Sequence, residues 1–224
     1  MSCGLLAPGV FAAEPVQPRY NTVELQADAQ REVQNDLLNA SVFNELNDEN
    51  PAVLANAINR SVNEALRIAK EFKTVRVRSG GNQTTPVYTK GNVLQGWRGR
   101  AEIRIESRDF EAASTLIGRL QAVMKLGGMN FSVAPETRRQ VENELITEAI
   151  AAFKARADIA RIALSGRAYK LQRLAVANGY STPQPRFAAM RAPGASAAEV
   201  APPGMEGGVS MVTVTANGAI EIVE

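Results

Sequence analysis

Residues 97–110 read Trp-Arg-Gly-Arg-Ala-Glu-Ile-Arg-Ile-Glu-Ser-Arg-Asp-Phe and combine two different local patterns. Ala101, Ile103 and Ile105 alternate with charged side chains, a period that predicts a half-buried β-strand. Asp109 precedes an apolar stripe at helical spacing, so we expect it to cap the N-terminus of a helix. The stretch therefore predicts a strand that is followed directly by a helix.

The chain before this stretch predicts one helix and three strands. Asn50 and Pro51 form a pair that is typical of a helix start, and the apolar stripe behind them predicts a helix to about Phe72. The expected strands cover residues 23–30, 33–45 and 75–88. The last of them contains a flexible break at 80–82 and forms a long hairpin with the Trp97 strand, with its tip near residues 90–95.

The chain after this stretch predicts the longest helix and five short strands. The helix capped by Asp109 is expected to end at 127–128, two glycines that suit a helix C-cap. Pro135 opens the longest helix, which Gly166 ends. The remaining strands are expected at residues 130–133, 169–177, 186–190, 209–215 and 220–223. Residues 191–208 are rich in Ala, Gly and Pro and are expected to form a low-complexity loop.

The order of elements predicts the fold class. From residue 33 to 133 the chain reads strand, helix, strand, strand, helix, strand, which is the split β-α-β arrangement of ferredoxin-like folds. The third helix, with Leu145, Ala149 and Phe153 on one face, and the C-terminal strands extend this core. The sequence therefore predicts an α+β fold with a mainly antiparallel sheet.

The composition excludes several kinds of chemistry. The 224 residues include no histidine and a single cysteine, Cys3. Catalytic triads with histidine, His-based zinc sites, intrachain disulfides and CxxC pairs are therefore ruled out. The net charge of +2 is too small to indicate a nucleic acid partner. We expect a protein that is not an enzyme, with no catalytic residues, no cofactor and no metal.

The first residues resemble the end of a secretory signal. Val10 and Ala12 have the spacing of a signal-peptidase site, although the preceding apolar run is short. We expect residues 1–12 to be the end of a truncated signal peptide, 13–19 an extended leader and 20–224 the folded domain. This interpretation predicts a periplasmic protein whose mature form lacks cysteine. The other interpretations are a disordered cytosolic tail and a lipoprotein signal at Cys3, which the missing Leu-Ala-Gly run disfavours.

A group of basic side chains falls on the predicted hairpin. Its members are Arg76, Arg78, Arg98, Arg100 and Arg104. One hypothesis is a basic face for an anionic partner, such as lipid headgroups or the edge of another subunit. The other is a solvated sheet face on which Glu102 and Glu106 offset the charge through cross-strand pairs.

Two carboxylates lie one helical step apart in the longest predicted helix. Glu144 and Glu148 have the spacing of paired acid and base groups, but such catalysis needs burial and different surroundings for the two groups. A charged outer helix face explains the same spacing without any catalytic role. We therefore expect these side chains to be solvated.

Three short segments have the features of a known family: Pro86-Val87-Tyr88, Gly96-Trp97-Arg98-Gly99-Arg100 and the alternating strand that leads to Phe110. They resemble the SIMPL-domain family, of the periplasmic immunogenic and oxidative stress defence type. The resemblance implies that Tyr88, Gly96 and Trp97 are packing and turn residues that mark the fold, and it assigns no catalytic residue. It also implies export to the periplasm, a non-enzymatic or unknown role, a link to oxidative stress and self-assembly in some members.

Three hypotheses for the function follow. We prefer an exported, non-enzymatic homo-oligomer that supports envelope integrity or oxidative stress defence, with the long hairpin and the final strand as assembly elements. The alternative is a periplasmic module that binds an anionic partner or a membrane surface through the basic hairpin face or the 191–208 loop. An enzyme that uses carboxylates or a hydroxyl group is the weakest of the three.

Overall fold

A computed structural model describes residues 21–181 and 207–224 of the chain. In these ranges the chain forms β1 (Thr22–Gln34), β2 (Leu37–Asp48), α1 (Pro51–Ala69), β3 (Arg76–Tyr88), β4 (Leu94–Ser107), α2 (Phe110–Leu120), β5 (Lys125–Ser132), α3 (Pro135–Ala163), β6 (Ala168–Ser181) and β7 (Val209–Val223). The strands form two antiparallel sheets, so the predicted α+β class is confirmed.

The ferredoxin-like core is a four-stranded sheet with the order β3-β4-β2-β5. Helices α1 and α2 pack on one face of this sheet. Their shared core is apolar and includes Leu38, Val42, Ile103, Ile105, Leu116 and Leu120. Because no described element covers the opposite face, the polar side chains of β4 lie on the solvent side, as the alternation predicted.

The remaining strands form a second sheet in which β7 lies between β1 and β6. Helix α3 packs on one face of it. Phe153 is the largest fully buried side chain of the described residues, and it lies in the core between α3 and β7. The sequence predicted one main sheet, but the N-terminal and C-terminal strands pair with each other and form a sheet of their own.

Several predicted strand limits are wrong. β1 continues to Gln34, and the break before β2 falls at residues 35–36, so Val33 belongs to the first strand. β3 passes through the glycines at 80–82 as a continuous strand, with only a shift of register between Ser79 and Asn82. β6 continues beyond the expected end at residue 177 to Ser181, and β7 is one continuous strand where two strands, 209–215 and 220–223, were expected.

The helix starts follow the sequence better than the helix ends do. The Asn50 side chain accepts hydrogen bonds from the first turn of α1, and that of Asp109 accepts one from the Ala112 amide at 3.0 Å. Helix α2 ends at Leu120 rather than at the two glycines 127–128, which lie in β5. The apolar stripe reaches beyond the helix because Met124, only 4% exposed, enters the core from the following turn.

Part of the predicted chain lies outside the described residues. This applies to the signal segment and leader, to the strand expected at 186–190 and to all of the 191–208 loop except Gly207 and Gly208. Gly207 and Gly208 directly precede β7.

One carboxylate connects the two halves of the fold. Asp36 lies between β1 and β2, and its side chain accepts hydrogen bonds from the Ala134 amide at 2.6 Å and from the Thr137 hydroxyl at 2.7 Å. Arg108, which follows β4, also binds Asp36 and donates to the Thr137 hydroxyl at 2.9 Å. Since Ala134 has no side-chain cap of its own, Asp36 supplies the capping group of α3 from a distant part of the chain.

Candidate functional site

All five arginines of the predicted group lie on the outer face of the four-stranded sheet, which we call the basic face. Arg98, Arg100 and Arg104 alternate along β4 with the core side chains. On the neighbouring strand β3, Arg76 lies opposite Glu106, and Arg78 lies opposite Arg104. The period-two pattern of the sequence therefore brings the five side chains to one surface.

Much of this positive charge has a partner. Arg76 lies 3.7 Å from Glu106, Arg104 lies 3.0 Å from Glu102, and Arg100 lies 3.4 Å from Glu45. The Arg100 guanidinium also stacks over Phe43, 3.8 Å from the ring centroid. Exposed ion pairs of this kind contribute about 0–1 kcal/mol each. The glutamates thus reduce the charge of the face without holding it rigidly.

One end of the basic face keeps an excess of positive charge. Arg78 stands opposite Arg104. Arg104 is paired with Glu102, whereas Arg78 forms no ion pair with any described residue. Like charges directly across a strand pair are unfavourable, so the site has a free cation that an added anion would stabilise. A shallow groove of about 750 Å³ passes both side chains and is also lined by Asn39, Ser41 and Asn130.

The three residues expected to mark the fold have different environments. Trp97 is half-buried against Leu54 and Ile58 of α1. Gly96 lies close to the end of β2, since a Cβ atom there would be 3.0 Å from the Asp48 carbonyl oxygen. Tyr88 is 53% exposed at the end of β3, so it does not take the packing role that the resemblance implied.

The two carboxylates considered for acid and base roles share one cation. Arg31 of β1 reaches across to α3 and forms ion pairs with both Glu144 and Glu148. The side-chain hydrogen bond to Glu144 raises the pKa of Arg31, so the cation keeps its charge. Both glutamates are about half exposed. This arrangement connects a strand to a helix and lacks the buried, unequal environments that acid–base pairs need.

A second charged surface was missed in the sequence. The outer face of the three-stranded sheet, which we call the acidic face, carries four carboxylates against the two cations Lys170 and Arg173; the carboxylates are Glu24, Asp28, Glu32 and Glu221. Arg173 lies 3.3 Å from Glu24, and Gln172 binds Glu221 at 3.0 Å, but Asp28 and Glu32 form no ion pair with any described residue. The three carboxylates of β1 follow one another at steps of four residues, and this step is the signal that could have identified the face.

The described residues provide no preformed metal centre. Residues 21–181 and 207–224 contain no group of three or more His, Cys, Asp or Glu side chains that could hold a metal ion. In the same part of the chain, no helix combines the length and apolar character that crossing a membrane requires. The charged outer faces of the two sheets are the features that remain as candidate sites.

Comparison with known proteins identifies the family. A family model described as SIMPL, a protein of unknown function (DUF541), matches residues 23–220, which is nearly the whole chain. None of the curated proteins matches the chain. The match covers both sheets and all three helices, so the two halves of the fold belong to a single family domain.

Proposed function

The chain belongs to the SIMPL family, and we propose that it is an exported, non-enzymatic protein that self-assembles and supports the cell envelope and its defence against oxidative stress. The observation that carries the assembly is the open architecture of both sheets. Each sheet has helices on one face only, and the other face is free of described elements. Such surfaces are available to a second copy of the chain.

The sheet edges add to this architecture. β3 and β6 are edge strands of 13 and 14 residues, each with one side unpaired among the described residues. On β6, Leu171 is 52% and Val176 38% exposed, and long edge strands with apolar side chains can pair with another chain. The final strand β7 is paired on both sides, so the expectation that it offers an assembly edge is wrong.

The proposal of a non-enzymatic role rests on the available side chains. The chain has no histidine, and the closely spaced carboxylates Glu144 and Glu148 are both bound by Arg31. Two grooves on the described residues, of about 900 and 750 Å³, are open to solvent, and their charged residues lie at the surface. Ligand-binding enzymes more often enclose their substrates in deep apolar pockets with a few converging polar groups.

Light scattering after size-exclusion chromatography tests self-assembly. The full chain has a mass of 24.0 kDa, and the mature chain without residues 1–12 is lighter, so we expect a discrete species at an integral multiple of the mature subunit mass. A closed assembly keeps the same mass over a range of protein concentrations, whereas unspecific aggregates grow. A strict monomer at high micromolar concentration would contradict the assembly that we propose.

Export and the stress role can be tested together in the native bacterium. We expect a tagged chain to appear in the periplasmic fraction, since Val10 and Ala12 have the spacing of a cleavage site.

A strain that lacks the gene should survive peroxide less well, and the wild-type gene should restore survival. A variant without residues 1–12 is the control and should fail to restore it. A cytosolic location of the wild-type protein would refute the exported role.

A further inference from the structure

The two sheet faces that no described element covers carry opposite charge, and they belong to the same molecule. We propose that the acidic face of one copy docks on the basic face of another, so that subunits join head to tail. This inference rests on the proposed self-assembly and names the surfaces that form the contact. A contact between two different faces is heterologous, and it generates a ring where the rotation closes or a filament where it does not.

The basic face has cations that are free to change partner. Five arginines share this face with three glutamates, and the ion pairs are exposed: the side chains of Arg76 and Arg104 are 66% and 72% accessible. Exposed ion pairs contribute little free energy, so a carboxylate of another copy can replace the glutamate partner of an arginine at little cost in stability. Arg78 and Arg98 are exposed and form no ion pair among the described residues, so both are available to an incoming carboxylate.

The acidic face offers the complementary groups. Glu24 is 77% accessible even though Arg173 lies nearby, and both Asp28 and Glu32 project from β1 on the side away from α3. Their spacing of four residues corresponds to about 13 Å along a strand. Arg100 and Arg104 of β4 have the same spacing on the basic face. A strand of one copy that lies along a strand of another therefore brings charges of opposite sign into register.

The two faces are close in size to a specific contact. With strands about 4.8 Å apart and about 3.3 Å per residue, the three strands of 13 to 15 residues cover roughly 650 Å², and the four strands of the other sheet cover somewhat more. Stable interfaces bury about 600–1,000 Å² per partner, so a contact over a whole face falls at the lower end of this range. Both faces also carry neutral polar side chains, such as Gln26 and Thr215 on one and Ser41 and Gln83 on the other, which can form hydrogen bonds across the contact.

A second copy of the chain fits the two charged faces better than an anionic membrane does. A lipid surface would attract the basic face alone and would leave the acidic face without a partner. The basic face also presents few apolar side chains for insertion between lipids, since Phe43 lies under the Arg100 guanidinium. Only another copy of the chain uses both charged faces at once.

Charge reversal on each face tests the contact in the full chain. The first variant carries Asp28→Lys and Glu32→Lys, and the second carries Arg78→Glu and Arg104→Glu. We expect each variant alone to need at least about tenfold more protein to assemble, because like charges now face each other. A one-to-one mixture should assemble again, since the reversed face of each variant complements the reversed face of the other. Higher salt should weaken the assembly of the wild type.

Matched controls separate the contact from net charge. Glu64→Lys with Glu136→Lys, and Arg67→Glu with Arg139→Glu, change the charge by the same amounts at exposed helix positions away from both faces. These variants should assemble like the wild type. Circular dichroism and thermal unfolding should show that every variant keeps the fold, because all the replaced side chains lie on the surface.

The possible outcomes distinguish this contact from self-assembly in general. A monomeric wild type would refute the proposed function itself. If the wild type assembles and both face variants assemble equally well, the charged contact is wrong and the sheet edges become the assembly surfaces. Failure of the mixture to assemble would also overturn a head-to-tail contact. Binding to phosphatidylglycerol vesicles that is lost in the Arg78→Glu, Arg104→Glu variant, with assembly unchanged, would assign the basic face to lipid instead.

Discussion

Replacing Phe153 with alanine is expected to lower the free energy of unfolding by about 3–5 kcal/mol. Phe153 is 1% exposed and lies at the centre of the core between α3 and the three-stranded sheet. Its ring rests directly on the backbone of Gly218 in β7, where an added Cβ atom would come within 2.8 Å of the ring. Because glycine has no side chain that could move into the space, the cavity stays open and the loss should lie near the upper end of this range.

Urea unfolding followed by circular dichroism measures this loss at a fixed protein concentration, so that any assembly contributes equally to each variant. Ile159→Ala is the matched control on the same helix. Ile159 is 67% exposed, so its truncation should change the free energy of unfolding by less than about 0.5 kcal/mol. A Phe153→Ala variant within 1 kcal/mol of the wild type would show that α3 is not packed as described.

The starts of the three helices could be predicted because a residue type that is typical of a helix start stands next to each of them. Asn50, Asp109 and Pro135 stand where the structure begins α1, α2 and α3. The glycines at 127–128 were misread for the same reason, since a local pattern that suits a C-cap also fits an extended strand. The pairing with β2 favours the strand over the helix C-cap, since Gly128 pairs with Ser41 in the sheet.

Which strands become neighbours could not be predicted from local patterns. Alternation shows which side chains of β1 share a face, but it does not show which strand pairs with β1. The partner is β7, whose Glu221 pairs with Thr22 although it lies near the other end of the chain. The basic face was predictable because its arginines lie on consecutive strands of one hairpin. The four-residue step of the β1 carboxylates predicts that they share a face, but only the position of α3 on the other side of β1 shows which face is open.

We expect Asp36→Ala to lower the free energy of unfolding at neutral pH by about 2–4 kcal/mol. The substitution removes the acceptor of the buried Ala134 amide, which costs about 1–3 kcal/mol, and the charged hydrogen bonds with Thr137 and Arg108. Asp36→Asn keeps an acceptor but not the charge, so its loss should be smaller. Glu136→Gln is the control, since this first-turn carboxylate of α3 is 69% exposed and should contribute less than about 1 kcal/mol.

The contribution of the Asp36 charge should depend on pH with a definite sign. Burial alone would raise the pKa of Asp36, but the hydrogen bonds from Ala134, Thr137 and Arg108 outweigh it and lower the pKa. A carboxylate whose pKa is lower in the folded state stabilises the fold above its ordinary pKa of about 3.9 and loses this effect as the pH falls through the folded value. The difference between the wild type and Asp36→Asn should therefore be constant from about pH 5 to 7 and should shrink below about pH 4. An equal difference at pH 3 and pH 7 would mean that packing at the junction, and not the Asp36 charge, stabilises the start of α3.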